Sequence, residues 1–593
     1  MRRIIPFLIA LLFLAGCAAQ RGRRGEGAQS SSTFSPQASS SQASSSRSSS
    51  SQASSSSASS QYTRQPETEA ERILSRLTLR QKIGQTLGFA INGYESQAGM
   101  DVFLREFQPG LICYVDAKIN SIETMRRTNT HIREVMNGLP LPPIIALDQE
   151  GGNVARLTKN VVHFPSAMAM AASGDSDLVH RAGMALGRQA ARAGCSMVFA
   201  PVLDLNLCAE NPVIGTRAFS DNSDLVLRYG RAFSKGLQDA GVLPVAKHFP
   251  GHGRTSADSH FALPVVSASR DELLKSDFYV FRSIEEKTFP AVMTAHVVFS
   301  DIDSVPATLS RKIIHDWFQR ECGYSGLVMT DAVRMQALSV RWSYPEIYRR
   351  ALEAGCHLII TCMNYRDCRE IVLACERMVA QGTIAEERID AAALRVIEFK
   401  LQHQKYLQAP LEELTPERLR ADRGADETLA RSIAERALTL VQDPDGLLPL
   451  KKGVPIHLFS TSARFLQEAR AAAGAHTLGV HMLVRGDLPA AQSAIREMRA
   501  ARGVIVYAGE SAGDTAFLAS LPGDLRRPSV VSAGMIIIAL DDPWFARRFM
   551  QQSAYLAAYS SVALSLEACA RALFGLTQVR GRSPVQIAQS ASQ

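Results

Sequence analysis

No long block of basic residues occurs in the folded part of this chain, although its formal charge is +8 at pH 7. Dispersed positive charge favours anionic surfaces such as a wall or a membrane without specifying one. With no nucleic-acid motif beside it, no nucleic-acid partner is expected. C-x-x-C spacing is missing as well. Of the ten cysteines, Cys17 belongs to the N-terminal leader, which leaves an odd nine. Cys113, Cys195 and Cys356 fall inside apolar runs, where a free thiol behaves as a small hydrophobe. Cys356, Cys362, Cys368 and Cys375 run from a strand into a helix without the spacing of a metal site, so no metal and no cofactor is expected. One disulfide stays open, because the chain reads as exported.

A membrane-spanning run is the third absence at the N-terminus. Two arginines precede an apolar run from Ile4 to Leu14, too short to cross a bilayer comfortably, and Leu14-Ala15-Gly16-Cys17 follows. Residues 1–16 therefore read as a signal peptide. A small-residue site ending in cysteine resembles the lipobox of bacterial lipoproteins, which makes Cys17 the lipidated N-terminus and an acyl chain the membrane anchor. Residues 17–66 are almost all small and polar, with Gln-Ala-Ser-Ser-Ser recurring at Gln37, Gln42 and Gln52. Such a segment buries too little apolar surface to offset its ordering entropy. As a flexible tether of ~40 residues it spans roughly 35 Å, enough to hold a domain off a membrane.

Folded structure is expected from Glu67, with Ile73, Leu74 and Leu77 at helical spacing and Thr78 with Gln81 as a capping box. Across 67–410, apolar runs alternate with amphipathic segments. The runs are Leu87 to Ile91, Gly110 to Val115, Pro143 to Asp148, Ser196 to Asp204, Gly241 to His248, Ala291 to Val298, Gly326 to Asp331 and Cys356 to Cys362. Eight strands separated by helices predict an α/β fold of the (β/α)8 barrel type. An open doubly wound sheet competes, since periodicity does not show whether a sheet closes.

A charged, helix-prone stretch, 411–430, reads as a linker. Beyond it, 431–593 carries apolar runs at Pro455 to Ser460, Gly503 to Ala508 and Gly534 to Leu540 between helical segments. That pattern predicts a second, smaller α/β sandwich domain with a mainly parallel sheet.

Chemistry collects at the ends of the predicted strands. The third ends at Asp148-Gln149-Glu150-Gly151-Gly152, the fourth at Asp204 with Ile214-Gly215-Thr216-Arg217 beyond, the sixth at His296 and the seventh at Asp331. The fifth runs into Lys247-His248-Phe249-Pro250-Gly251-His252-Gly253, followed by Asp258-Ser259-His260. Pro250, Gly251 and Gly253 prevent one continuous helix there, so this is a loop that converges side chains. In a closed barrel these ends share one mouth, where catalytic residues of such folds lie. Any one of them alone would mean little, because an Asp after a strand is most often a helix cap.

Taken together, Asp148-Gln-Glu-Gly-Gly, Phe199-Ala-Pro-Val-Leu-Asp, Ile214-Gly-Thr-Arg, the Lys247-to-Gly253 motif with Asp258-Ser-His260, Met293-Thr-Ala-His, Pro306-Ala-Thr-Leu-Ser and Thr330-Asp331 resemble glycoside hydrolase family 3. They are most similar to its β-N-acetylhexosaminidase branch. The match runs in order from Leu77 to Leu401 and continues more weakly through Asp445-Gly-Leu-Leu-Pro-Leu450 and Leu573-Phe574-Gly575. The resemblance implies a covalent nucleophile at Asp331 and a general acid and base at His260, oriented by Asp258. It assigns Asp148, Arg217, Lys247 and His248 to the hydroxyls and acetamido group of a non-reducing sugar. Histidine suits the proton transfer, since its ordinary pKa is about 6.5, whereas retaining glycosidases usually pair two carboxylates.

Plainer roles compete for several of these residues. Lys247 and Asp204 are candidates for a structural ion bridge, His252 for a structural role between its glycines, and Glu150 for a turn-stabilising carboxylate. Three departures from the family pattern touch substrate preference: Asn153 stands where arginine is common, Ala332 where a second aspartate is usual, and His357 is placed to alter the pocket floor. The expected function is a retaining, exo-acting β-N-acetylglucosaminidase of the cell envelope, with peptidoglycan fragments or chitooligosaccharides as carbohydrate substrate. Alternatives are a β-glucosidase taking its acid from Glu510 or Asp514, a phosphorylase, and a non-catalytic wall-binding lipoprotein. A metal hydrolase is disfavoured, because Pro250 and Gly251 keep His248 and His252 off one helix face.

Overall fold

The computed structural model describes residues 68–587 except 94–95, 116–117 and most of 485–533, where 493, 503–511, 514 and 518 are described. The expected leader, Cys17 and the serine-rich stretch lie outside the described residues.

Helices Glu69–Leu74 and Leu79–Gln85 open the fold. Thr68 with Glu71 and Thr78 with Gln81 form complete capping boxes, each satisfying two backbone N–H groups that a helix start leaves unpaired. Eight parallel strands follow: β1 Leu87–Ile91, β2 Leu111–Tyr114, β3 Ile144–Leu147, β4 Met197–Val198, β5 Leu243–Phe249, β6 Ala291–Thr294, β7 Leu327–Thr330 and β8 Ile359–Ile360. They are bonded in chain order from β1 to β7, and β8 pairs with β1. A bridge between Met329 and Leu358 brings β7 and β8 together, so the ends of the sheet meet as a barrel. The open-sheet alternative is thereby dismissed.

Both faces of these strands are apolar, which is why they read as continuous runs. Leu111 and Cys113 point into the barrel with Ile144, Ala146, Val245 and Met293, while Ile112 and Tyr114 pack outward against the helices. Three strands are much shorter than expected, the run Ala291 to Val298 being regular only over Ala291–Thr294. Of Ser196 to Asp204 only Met197–Val198 is a regular strand. Pro201 lacks a ladder donor, and the chain beyond follows β5 through single bonds such as Leu203 N–H to the Lys247 carbonyl. Of Cys356 to Cys362 only Ile359–Ile360 is regular.

The second domain is a six-stranded sheet of β9 Thr439–Gln442, β10 Ile456–Ser460, β11 Leu478–Met482, β12 Val504–Gly509, β13 Met535–Ala539 and β14 Ala554–Ala557, in the order β9-β14-β13-β12-β10-β11. All pairings are parallel except β9 with β14. One face packs under helices Ala463–Ala472 and Ala563–Leu573 through Ile536, Ile538 and Leu566. The other, with Ile505, Tyr507, Ile537 and Tyr555, packs on Met168, Ala169 and Ala172 of the barrel helix Ala167–Ala172. The two domains thus share an apolar seam.

The stretch read as a linker forms most of a continuous helix, Pro416–Ala437. Its charges pair with the barrel helix Ser176–Arg192: Arg188 with Asp426 and Arg192 with Asp422. Its Leu429, Ala430 and Ile433 are buried. A helix held along one side by ion pairs and apolar contacts is a wall between the domains. No disulfide forms among the described residues, whose nine cysteines are free. Cys356, Cys368 and Cys375 are buried separately as small apolar groups, and Cys362 lies 4.0 Å from Cys113 as a thiol contact.

Candidate active site

The strand ends converge as anticipated. Asp148, Arg217, Lys247, His248, His260 and Asp331 line one pocket of about 330 Å³ at the carboxyl end of the barrel. Asp148 and Asp331 sit one residue beyond their strands, Lys247 and His248 lie in the last three residues of β5, and Arg217 and His260 lie on the loops that follow β4 and β5.

On one side of the pocket is an alternating chain of charges. Arg156 donates to Asp148 Oδ2 at 2.8 Å, and Lys247 Nζ lies 2.8 Å from Asp148 Oδ1 and 2.6 Å from Glu150 Oε1. Arg217 completes the chain, its Nε and NH2 donating to the two Glu150 oxygens at 2.9 and 2.8 Å. Planar two-point pairing of this kind fixes the guanidinium in orientation as well as position. Burial pushes the Asp148 and Glu150 carboxyls up, but the cations facing them hold both below the usual carboxylate range. Lys247 is raised: burial lowers it, and the attraction of Asp148 and Glu150 more than compensates.

The expected ion bridge between Lys247 and Asp204 does not form. Asp204, fully buried, accepts the His248 ring at 2.6 Å through Nδ1 and the His252 N–H at 2.6 Å. Strand β5 explains the difference. Its register shifts between Lys247 and Phe249, so consecutive residues 247 and 248 both face the barrel mouth toward different neighbours. Because a carboxylate only accepts, Nδ1 of His248 carries a hydrogen, and its Nε2 lies 3.4 Å from the Arg217 guanidinium.

Asp331, one residue past β7, is held beside His248 and His296, and its Oδ1 accepts the Ala332 N–H at 2.6 Å. Burial raises its carboxyl, yet His248, His296 and that N–H hold it below the ordinary range, so it stands ionised. His296 is fastened by Thr308 at 2.7 Å and the Ala332 carbonyl at 3.1 Å.

Across the pocket, His260 Nδ1 and its own backbone N–H both reach Asp258 Oδ1 at 2.8 Å. The ring is 59% exposed with Nε2 directed away from the carboxylate. His252 supports this loop from beneath, its Nε2 2.8 Å from the Ser259 hydroxyl and its Nδ1 3.0 Å from Thr255. Burial pushes its pKa down to about 4, consistent with a neutral ring in the structural role expected of it. Gly253 is required here, since a Cβ would stand 1.7 Å from the Leu205 carbonyl oxygen. From the other side, the N–H groups of Gln336 and Ala337 donate to the His260 and Ser259 carbonyls at 3.4 and 3.3 Å, linking this loop to the one after Asp331.

Other expectations fail. His357 lies outside the pocket, at the start of β8, accepting the Val328 N–H at 3.0 Å; burial lowers its pKa to about 3. It enters a strand from below, whereas the pocket collects residues that leave strands above. Asp514 accepts the Glu510 and Ser511 N–H groups at 2.8 and 3.2 Å, so it organises its own loop. Neither it nor Glu510 lines the pocket. Glu150 does more than stabilise a turn, since it pairs with Arg217 and Lys247. Sequence reasoning overlooked Arg156, which comes back to the pocket only because the hairpin of Gln149–Gly151 and Val154–Ala155 reverses the chain.

Residues 78–399 match the glycosyl hydrolase family 3 N-terminal domain. A beta-hexosaminidase from Alkalilimnicola ehrlichii is 37% identical over 238 residues, which are 39% of this chain and 68% of that protein. One from Neisseria gonorrhoeae is 33% identical over 264 residues, 42% of this chain and 72% of that one. A solved glycoside hydrolase family 3 beta-N-acetylglucosaminidase from Paenibacillus sp. str. FPU-7 superposes with a TM-score of 0.77 at 28% identity, covering 87% of this chain and 100% of that chain.

Proposed function

The chain belongs to glycosyl hydrolase family 3, and on that basis we propose that it is a retaining, exo-acting β-N-acetylglucosaminidase that removes terminal GlcNAc from peptidoglycan fragments or chitooligosaccharides. One observation carries the reading: the hydrogen-bonded Asp258–His260 pair and the ionised Asp331 serve the same pocket. The names of its hexosaminidase relatives support the acetamido sugar.

In this mechanism Asp331 attacks the anomeric carbon while the glycosidic oxygen leaves with the proton of His260 Nε2. A glycosyl ester on Asp331 results. Water then attacks the same carbon, gives its proton to His260, and releases Asp331 with the β configuration restored. Asp258 keeps the hydrogen on Nδ1 and stabilises the imidazolium. Asp148, Arg156, Lys247, Glu150 and Arg217 form the wall that grips the sugar hydroxyls, with His248 beside the reacting centre. Cys17 carries an acyl anchor in this reading, and the serine-rich segment holds the catalytic unit off the membrane; retention of a Cys17→Ser variant in the lipid fraction would overturn that part.

The test is hydrolysis of an aryl β-N-acetylglucosaminide beside the matching β-glucoside, with and without phosphate, following the released anomer by NMR. The expected result is preference for the acetamido substrate, first release of the β anomer, and no sugar phosphate. Initial α anomer would exclude retention. A sugar phosphate would make the protein a phosphorylase, in which phosphate replaces water against a neutral or cationic acid and base.

A further inference from the structure

Asp541 lies two residues beyond β13 of the second domain, yet its side chain belongs to the barrel mouth. Oδ1 accepts the Thr216 hydroxyl at 3.0 Å, and Oδ2 accepts the Asn153 amide at 2.9 Å. Thr216 immediately precedes Arg217 in the single turn Gly215–Arg217. Asn153 sits at the tip of the hairpin, three residues after Glu150 and three before Arg156. Ser561 holds the other end of the same amide, its hydroxyl 3.4 Å from Asn153 Oδ1.

One carboxylate therefore ties together the two backbone segments that carry Glu150 and Arg217, the pair with two-point bonding at the pocket wall. The barrel supports the Arg217 turn through Asn206, whose amide donates to the Gly215 carbonyl at 2.8 Å, and through Asn211, whose Oδ1 accepts the Val213 and Ile214 N–H groups at 2.9 and 2.8 Å. Around Asp541 the second domain fastens the same stretch at three more points. Arg547 pairs with Glu210 at 3.1 Å, the Ser220 hydroxyl donates to the Pro584 carbonyl, and the Gln586 N–H donates to Asp221 at 2.8 Å. A binding residue loses its effect when its supporting shell is loose by ~1 Å.

The geometry points to Asp541 as a positioning residue supplied by the second domain, which sets where Arg217, backed by the buried Glu150, stands in the sugar-binding pocket; this rests on the glycosidase reading of that pocket. Asp541 touches no substrate. It acts through Thr216 and Asn153, so its loss weakens ground-state grip and leaves Asp331 and His260, on other strands, in place.

The test uses the full chain carrying Asp541→Ala, Asp541→Asn or Thr216→Val, with kinetics on an aryl β-N-acetylglucosaminide and amide hydrogen exchange of the peptides spanning 211–218 and 149–157. Asp541→Ala is expected to raise KM about tenfold with kcat within about twofold, and to speed exchange in both peptides. Asp541→Asn is expected to restore KM to within about twofold, because its amide accepts from Asn153 and donates to Thr216. Thr216→Val is expected to fall between them, and it carries the test if Asp541→Ala fails to fold. Unchanged KM and unchanged exchange in a folded Asp541→Ala or Thr216→Val variant would overturn the proposal, as would loss of kcat at constant KM. If the wild type hydrolyses no β-N-acetylglucosaminide, the glycosidase reading fails by itself, and the exchange rates still decide whether Asp541 positions the loops.

Discussion

Asp258 Oδ1 accepts two hydrogens from a single residue, the backbone N–H and the ring Nδ1–H of His260, each at 2.8 Å. The double contact sets the ring's rotamer and tautomer together. In the proposed mechanism, proton transfer is then left to Nε2.

Replacing His260 by alanine should therefore cost most where the leaving group needs a proton. We expect a loss of about 10²- to 10⁴-fold on a chitooligosaccharide and a much smaller one on an activated aryl glycoside. Asp258→Asn should show the same pattern more weakly, because it releases the tautomer. Equal losses on both substrates would argue against an acid role.

Asp331→Ala should lower kcat by roughly 10³-fold or more on every substrate. Mass spectrometry of wild-type protein quenched with a slow substrate should find the sugar on the peptide containing Asp331. A label elsewhere would reassign the nucleophile.

Lys247, itself buried, is the shared cation of the half-buried Asp148 and the buried Glu150. Lys247→Met removes that charge and leaves two carboxylates facing each other, which should cost about 3–5 kcal/mol of stability in denaturant unfolding. Unaltered stability would mean that Arg156 and Arg217 suffice.

Acid stability follows from the same cluster. Asp148, Glu150, Asp204 and Asp331 are all held below the ordinary carboxylate range. The folded state thus binds fewer of their protons than the unfolded chain, whose carboxylates titrate near pH 4. Their contribution is complete above that value and is lost as pH falls below it. The melting temperature should drop steeply below pH 4, and less steeply in Glu150→Gln.

Asp541 has the opposite sign. Burial raises its carboxyl to about 7, with Asp542 and Glu510 adding to the rise and the Thr216 and Asn153 hydrogen bonds opposing it. The folded state here binds the proton more tightly than the unfolded chain, so stability declines as pH climbs from about 4 to about 7 and is level beyond. Asp541→Asn should melt higher than wild type at pH 8 by a few degrees, with the gap closing toward pH 4. A gap that stays constant with pH would mean that the charge is not the cause.

Much of this molecule is readable in one dimension. Barrel strands buried on both faces must be apolar at every position, so seven of the eight runs announce themselves to within two residues at their start. The eighth, Cys356 to Cys362, shrinks to two residues because the regular ladder there needs only Ile359 and Ile360. Polar groups at strand ends are equally visible, since a residue after an apolar run has nowhere to go but the mouth. The helical character of Pro416–Ala437 is legible, but charge in sequence does not say whether its partner is water or Arg188.

Position after a strand announces Asp148, Lys247, His248 and Asp331 as pocket residues, because each is tied to its strand by a few covalent bonds, whereas Arg156 is brought in only by the hairpin. Which of these groups pair is settled by folding in three dimensions. Lys247 goes to Glu150 and not Asp204, and Asn153 meets Asp541 across 388 residues, because such contacts depend on strand register and on how two separately folded sheets dock, neither of which is a local property of the chain.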